Sequence, residues 1–293
     1  MNKSVLQVLT CYILWGFLPI FWKRLSELDA FYVLSCRVIW SAVFCFLIIV
    51  AIKDLDELKR TLKDKKQMKL LLCSGVMIAV NWGFYIYAVN AGHILDGSLA
   101  YYLNPLFAIA IGYLFFKEKI TKSQWIAIGI AFVGIMVAII GYKTIPVFAL
   151  VIGGSFAVYG AIKKSVSCSG MVSTFIETMI LLPFALGYVS CMEINGTGAV
   201  GIFEGLEFLL LPAAGVVTSI PLLAYSAGIT KVPMSLSGIL MYVNPTIQFI
   251  IGVALYGETF DIPKIIMFVC VWLALIIFIS RRNIGIKQES KDE

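Results

Sequence analysis

The chain has 293 residues, of which 60% are hydrophobic and only 14% are charged, and its formal net charge is +6. A soluble domain of this size needs a polar surface that such a composition cannot supply, so we expect the chain to use membrane lipid as its solvent. The apolar runs are about 20 residues long and lack strict alternation, which favours membrane-spanning helices over a closed barrel of strands. The basic residues lie in short segments between these runs, a distribution typical of membrane topology rather than of nucleic-acid binding.

The apolar runs predict ten transmembrane helices, so the expected fold class is an all-α integral membrane protein. The connections between the runs are short, and the longest, 53–69, carries seven Lys or Arg and four Asp or Glu. In chain order, the predicted spans are 4–22, 31–52, 70–89, 98–116, 123–142, 146–162, 172–191, 205–229, 235–256 and 264–280.

Lysine and arginine are distributed unequally between alternate connections. If the N-terminus faces the cytoplasm, eighteen of these residues fall on the cytoplasmic side, four fall on the opposite side, and Arg37 lies within a span. The positive-inside rule therefore predicts that both termini are cytoplasmic and that a short cytoplasmic tail follows the last span.

The chain aligns with itself when it is shifted by 140 residues. Within 17 ungapped positions, Tyr102, Asn104, Pro105, Ile111, Gly112 and Glu118 then match Tyr242, Asn244, Pro245, Ile251, Gly252 and Glu258. This match predicts two five-helix repeats, 1–145 and 146–293, which are inverted relative to each other because five is an odd number. Inverted repeats are typical of transporters, whose substrate sites lie near the membrane midplane where the repeats meet. The alternative is a channel or a membrane enzyme that also arose by duplication.

Arg37 is a strong charge that lies well inside the second predicted span. A central arginine costs about 2.5–3.5 kcal/mol on insertion scales, so its presence needs a reason. One interpretation is that its side chain snorkels to nearby headgroups, because it lies roughly 9 Å from the end of its span. The other is that it contacts an anionic or carboxylate group in a cavity.

Glu177 occupies the position that matches Arg37 in the second repeat. The inverted topology places the two residues in opposite halves of the membrane, so a direct salt bridge between them is not expected. Glu177 is predicted either to pair with Lys163 or Lys164 at the end of the preceding span, or to face the cavity as a proton site.

Proline interrupts two of the predicted spans, at Pro105 and Pro245. Each proline leaves the carbonyl of the residue four positions earlier without its helical partner, and each follows an asparagine, Asn104 or Asn244. Broken turns of this kind line the sites of several transporters, so a role in cavity shape and gating is favoured over a plain packing kink.

Aromatic residues recur at matching positions in the two repeats and predict a cavity wall that can stack on an organic substrate. For any single aromatic residue, core packing is the alternative. The aromatic members of the predicted cavity are Trp15, Trp82, Tyr85, Tyr102, Tyr159, Tyr225 and Tyr242, whereas Trp22 is assigned to the membrane interface.

A row of small residues, Ala127, Ala131, Gly134 and Ala138, runs along the fifth predicted span. Such a row favours close helix packing, either within the chain or across a homodimer.

The sequence shows no pattern for a metal or a nucleotide cofactor. Its seven cysteines include no CxxC pair, Cys168 is expected to be a free loop thiol, and the motif GxxxxGK[ST] is absent. We therefore expect no cofactor, no metal and no ATP hydrolysis.

Several stretches, taken in order from about residue 5 to residue 280, resemble the RarD branch of the drug/metabolite transporter superfamily, whose halves are EamA domains. They include Tyr12-Ile13-Leu14-Trp15-Gly16, Arg37-Val38-Ile39-Trp40-Ser41, Asn81-Trp82, Asn104-Pro105-Leu106, Ile176-Glu177-Thr178, Leu181-Leu182-Pro183 and Tyr256-Gly257-Glu258, and it is the set in this order that is specific. The resemblance implies ten helices, cytoplasmic termini, a central cavity and a bacterial inner membrane. One departure is Cys36, which stands where the family often has histidine and removes a titratable group beside Arg37.

The function that these observations predict is secondary transport, by export or exchange, of small organic metabolites or drugs. The expected partners are membrane lipid, a small-molecule substrate and a proton or counter-substrate. An integral membrane enzyme or a non-transporting scaffold is the alternative, although the single histidine and scattered carboxylates argue against an enzyme. Lys23, Asn81 and Gln248 complete the predicted cavity.

Overall fold

The computed structural model describes residues 2–91, 94–143, 146–257 and 261–280. These residues form helices and connecting turns, and no strand occurs among them. The predicted C-terminal tail and Glu258 lie outside the described residues.

Twelve α-helices follow one another within the described part of the chain. In order they are α1 (Lys3–Trp22), α2 (Ala30–Ala51), α3 (Leu55–Lys63), α4 (Lys65–Asn90), α5 (Ile94–Phe115), α6 (Lys122–Tyr142), α7 (Val147–Lys164), α8 (Gly170–Ile194), α9 (Leu210–Ile229), α10 (Met234–Met241), α11 (Val243–Tyr256) and α12 (Ile262–Ser280). Short 3-10 turns occupy Lys23–Leu25, Ala199–Gly201 and Gly205–Leu209.

The long helices carry apolar side chains around their whole circumference. Eight helical stretches are long and apolar enough to cross a membrane, and Leu99–Phe115 and Ile262–Phe278 are shorter apolar helices. Large side chains such as Phe115 and Phe184 are 77% and 78% exposed. Because a water-facing surface of this kind would be costly, these side chains are solvated by lipid, and the chain is an integral membrane protein.

Polar side chains define where several helices begin. The Asp29 carboxylate accepts a hydrogen bond from the Tyr32 amide at 2.9 Å, and Thr121 forms a reciprocal capping box with Gln124. Such caps satisfy backbone N–H groups that have no partner within the helix. They place the helix starts within a few residues of the predicted span boundaries.

Two features of the backbone were not predicted from the sequence. The charged connection 53–69 contains α3, whose leading carboxylates and trailing basic residues suit the helix dipole. The two Asn-Pro pairs also differ from each other in their backbone: α10 ends at Met241 and α11 begins after Tyr242, whereas α5 continues through Pro105. The role of Pro105 and Pro245 in cavity shape and gating stays a prediction.

The small-residue row of α6 packs inside the chain. Ala127, Ala131 and Ala138 are fully buried, and a Cβ added to Gly134 would lie 2.5 Å from the Cys270 Cβ of α12. The row is therefore an intramolecular contact between α6 and α12, and its alternative use as a homodimer face is wrong.

Candidate functional site

A cavity of about 680 Å³ lies between α1, α2, α4, α5, α7 and the α10–α11 region. The lining residues come from the middles of these helices and from the parts nearest the connection between α1 and α2, which we call the α1–α2 end of the bundle. The opposite end, which carries α3, is called the α3 end. Of the predicted site residues, the cavity is lined by Trp15, Lys23, Arg37, Asn81, Trp82, Tyr85, Asn104, Asn244 and Gln248.

Arg37 is held in place by residues from three other segments. Its Nε donates a hydrogen bond to the Thr218 hydroxyl of α9 at 3.0 Å. That hydroxyl in turn donates to the Ala214 carbonyl at 2.7 Å, which orients its oxygen as an acceptor for the guanidinium. The guanidinium carbon lies 4.5 Å from the Trp22 ring centroid and 4.9 Å from that of Trp82. These contacts hold the charge at the cavity wall through cation–π attraction.

Amide side chains form the wall on the side of α7. The Asn81 Nδ2 donates to the Ile152 carbonyl at 2.7 Å, and the Asn104 Nδ2 donates to the Gly153 carbonyl at 3.1 Å. Gly153 permits this approach, because an added Cβ would lie 3.2 Å from the Ala100 carbonyl oxygen. Both asparagines therefore join their helices to α7 at the cavity.

The second Asn-Pro pair contributes to the opposite wall. The Gln248 Nε2 donates to the Asn244 Oδ1 at 2.8 Å, one turn along α11. The interruption at Tyr242 brings these amides to the cavity at the point where the backbone changes from α10 to α11.

Two charged side chains lie at the mouth of the cavity. The Lys23 Nζ lies 3.8 Å above the centroid of the Tyr256 ring. The Asp29 Oδ1 accepts hydrogen bonds from the Tyr32 amide and the Tyr188 hydroxyl, each at 2.9 Å. With Arg37 deeper in the site, the cavity carries two cationic side chains and one carboxylate that already has two donors.

The remaining predicted residues lie away from the cavity wall. Tyr102 and Tyr242 are buried together in the centre of the bundle, where the Tyr242 hydroxyl donates to the Tyr102 carbonyl at 3.2 Å. The rings of Tyr159 and Tyr225 stack with centroids 6.1 Å apart. They belong to a buried aromatic cluster that separates the cavity from the α3 end, together with Tyr12, Trp15 and Phe156.

Glu177 also lies outside the cavity, in a buried polar cluster nearer the α3 end. Its carboxylate pairs with the Lys163 ammonium at 3.0 Å, and the two side chains are 4% and 1% exposed. Ser74 and Tyr159 donate to the same carboxylate, and Lys163 also donates to Ser173. The pairing alternative with Lys163 is thus the one that the structure shows, whereas Lys164 donates to the Val232 carbonyl.

Several contributors to the site were not identified from the sequence, among them Trp22, Asp29, Tyr101, Phe156 and Thr218. Trp22 was assigned to the membrane interface, although its spacing of seven residues from Trp15 places both on one helix face. Thr218 and Tyr101 gave no signal, because their roles depend on which helix packs beside α2 or α4.

Residues 2–140 match the model of the EamA-like transporter family, which places the chain in a class of helical membrane transporters. The uncharacterized transporter YojE of Bacillus subtilis is 37% identical over 281 residues, covering 94% of this chain and 93% of that protein. Protein RarD of Escherichia coli is 35% identical over 278 residues, covering 95% of this chain and 94% of that protein. The chain belongs to the RarD family of EamA-domain transporters, as its motifs predicted.

Relatives in other bacteria show the same similarity. Protein RarD of Streptomyces exfoliatus is 37% identical over 266 residues, covering 91% of this chain and 84% of that protein. A solved crystal structure has a TM-score of 0.73 over 95% of this chain and 98% of its own, at 14% identity, which shows a common fold alone. The chain is thus a multi-pass membrane protein of a bacterial transporter family.

Proposed function

We propose that this protein is a secondary transporter that exports or exchanges small organic metabolites or drugs by alternating access. The observation that carries this proposal is a 680 Å³ cavity that is lined from the middle of the bundle to the α1–α2 end. A site of this size fits small organic molecules. The similarity of the chain to named transporters also supports a transport function.

Ten membrane spans arranged as two inverted repeats allow a second conformation, in which this cavity opens to the other side of the membrane. In one half of the bundle, α4 and α5 both pack on α7. In the other half, the corresponding helices α9 and α10–α11 all pack on α1. The matched residues Tyr102 and Tyr242 contact each other in the centre of the bundle. This reciprocal packing supports an inverted pair, in which the cavity switches sides when the halves exchange conformations.

Polar contacts, some buried and some partly buried, hold the α3 end closed. Tyr12 and Ser237 share a hydrogen bond of 2.7 Å between α1 and α10. The Glu118 carboxylate accepts the backbone amides of Met234 and Ser235 at the start of α10, at 2.6 and 2.9 Å. With cytoplasmic termini, this is the cytoplasmic end, so we assign the conformation to the outward-facing state.

The coupling partner is a proton or a counter-substrate, because the chain carries no nucleotide-binding motif. The protein acts in the bacterial inner membrane, where gradients of protons and metabolites are available. Glu177 with Lys163 is the buried ionisable pair that faces the closed end, and it would become accessible when that end opens.

The test is a flux measurement in proteoliposomes loaded with a small-molecule extract of bacterial cytosol. Transport predicts that particular organic solutes, identified by mass spectrometry, leave these vesicles faster than they leave protein-free liposomes. Equal release from both kinds of vesicle would contradict the proposal. Conversion of a solute without its redistribution would instead support the enzyme alternative.

A further inference from the structure

We propose that the cavity binds an organic anion, with a carboxylate on Arg37 and an apolar or aromatic body against the aromatic wall. This inference rests on the proposed function for its physiological meaning, since it names the substrate class of the same site.

The first support is the missing counter-charge. Among the described residues, salt bridges join Lys59 to Asp56 and Lys163 to Glu177, and Arg37 belongs to neither. A cation held within a membrane bundle is usually paired or directed into an aqueous cavity that serves a function. Arg37 lies at such a cavity, so its negative partner is expected to come from a bound molecule.

The second support is the way the guanidinium is fixed. Thr218 occupies the Nε–H, and the indoles of Trp22 and Trp82 contact the guanidinium without offering a hydrogen-bond acceptor. The N–H groups on the two terminal nitrogens have no other hydrogen-bond partner within the described part of the chain. Two parallel N–H groups in one plane match the two oxygens of a carboxylate.

The third support comes from the spacing of 140 residues between the halves. Lys163 and Glu177 stand 140 positions after Lys23 and Arg37 respectively. In the second half the cation has a carboxylate partner, whereas in the first half both positions are cationic and both line the cavity. An anionic substrate supplies to the first half the negative charge that Glu177 supplies to the second.

The aromatic walls of the cavity indicate what kind of body the anion has besides its carboxylate. The rings of Trp15 and Phe156 meet with centroids 5.4 Å apart, and those of Tyr85 and Tyr101 lie 5.9 Å apart, all at the cavity. These surfaces favour an aromatic or aliphatic body by burial and ring stacking. Asp29 does not compete for Arg37, because its Oδ1 accepts hydrogen bonds from Tyr32 and Tyr188 at the mouth.

The test measures equilibrium binding to the purified full-length protein in detergent, followed by intrinsic tryptophan fluorescence. The probes are 3-phenylpropionate, its neutral analogue 3-phenylpropionamide, and acetate, which has the charge without the body. We expect the acid to bind at least about tenfold more tightly than the amide, because a bidentate charge-assisted contact is lost with the amide. We expect acetate to bind more weakly than 3-phenylpropionate, because it reaches none of the aromatic wall.

Variants assign the preference to Arg37. Arg37→Gln is expected to abolish the preference for the acid over the amide, and Arg37→Lys to reduce it because lysine lacks the planar fork. Thr218→Val, which removes the Nε acceptor and changes little volume, is expected to reduce the preference severalfold. Arg24→Gln is the matched control, because Arg24 is a nearby cation that lines a different groove, and it is expected to keep the preference.

Equal binding of acid and amide to the unaltered protein, or no binding of either, would overturn the inference. It would also be overturned if Thr218→Val and Arg37→Gln both kept the full preference for the acid. If Arg37→Gln fails to fold, a full preference in Thr218→Val alone would overturn it. Acid-selective binding without flux in proteoliposomes would support the anion site and contradict the proposed transport function.

Discussion

Breaking the buried pair of Lys163 and Glu177 should destabilise the protein strongly. The two side chains are 1% and 4% exposed, their charged atoms are 3.0 Å apart, and Ser74, Ser173 and Tyr159 complete the cluster. Lys163→Met leaves the Glu177 carboxylate without its counter-charge in a dry environment. Removing one partner of such a pair costs about 3–5 kcal/mol, mainly because the remaining charge has lost its compensation.

The pair should be replaceable when both charges are removed together. The double variant Lys163→Met with Glu177→Leu is expected to recover most of the loss, because apolar residues of similar volume often substitute for a buried ion pair at little cost. The exposed pair of Lys59 and Asp56 provides the control, with side chains 70% and 87% exposed and a distance of 3.8 Å. Lys59→Met should change the unfolding free energy by about 0–1 kcal/mol.

The free energy of unfolding is measured for the unaltered protein, Lys163→Met, Glu177→Leu, the double variant and Lys59→Met by titrating SDS into detergent micelles and following helix content. A loss for Lys163→Met as small as that for Lys59→Met would show that the pair is solvated and refute the reasoning. Simple additivity of the Lys163→Met and Glu177→Leu losses would show that the two groups do not interact.

Three further outcomes follow from the same structure. In a variant whose other cysteines are replaced, an impermeant maleimide should label Cys168 from the cytoplasmic side alone, and labelling from outside would contradict the topology. Burial raises the pKa of the Cys168 thiol to about 11, so labelling should become faster as the pH rises toward 11 and more thiolate forms. Pro245→Ala restores an N–H donor at the interruption between α10 and α11 and should lower proteoliposome flux more than Pro105→Ala in the continuous α5; equal effects would exclude a special role for the interruption. Gly134→Ala forces a Cβ to within 2.5 Å of the Cys270 Cβ and should lower the unfolding free energy by about 1–3 kcal/mol, whereas Gly129→Ala has open space and should not. Equal losses of the two variants in the SDS titration would contradict the packing of α6 on α12.

The helical membrane fold follows from composition. In lipid the backbone must form its hydrogen bonds internally, which leaves only helices or a closed barrel. Each predicted span coincides with one helix or with two consecutive helical pieces. The short helix α3 was not predicted, because its nine residues are mostly polar and the apolar-run criterion selects long hydrophobic segments. The break at Tyr242 and its absence at Pro105 depend on tertiary packing, since the two Asn-Pro pairs are locally alike.

The residues of the site were partly accessible to sequence reasoning. Arg37 and Asn104 stood out because a charge and an Asn-Pro pair are unusual inside a span, and the structure places both at the cavity. Which helix faces which was not accessible from one sequence. For that reason Tyr159, Tyr225 and Glu177 were assigned to the cavity although they pack beneath it, and Thr218 was not assigned at all.

The most direct test of the central claim is whether obstruction of this cavity stops transport. In a background with the seven native cysteines replaced, Gln248→Cys places a thiol at the cavity wall, and Ile250→Cys places one on the 58% exposed, lipid-facing side of the same helix. Modification with a bulky methanethiosulfonate should abolish proteoliposome flux for Gln248→Cys and leave flux through Ile250→Cys unchanged, and the transported solute should protect Gln248→Cys from modification. Full flux through completely modified Gln248→Cys would contradict the assignment of this cavity as the substrate site.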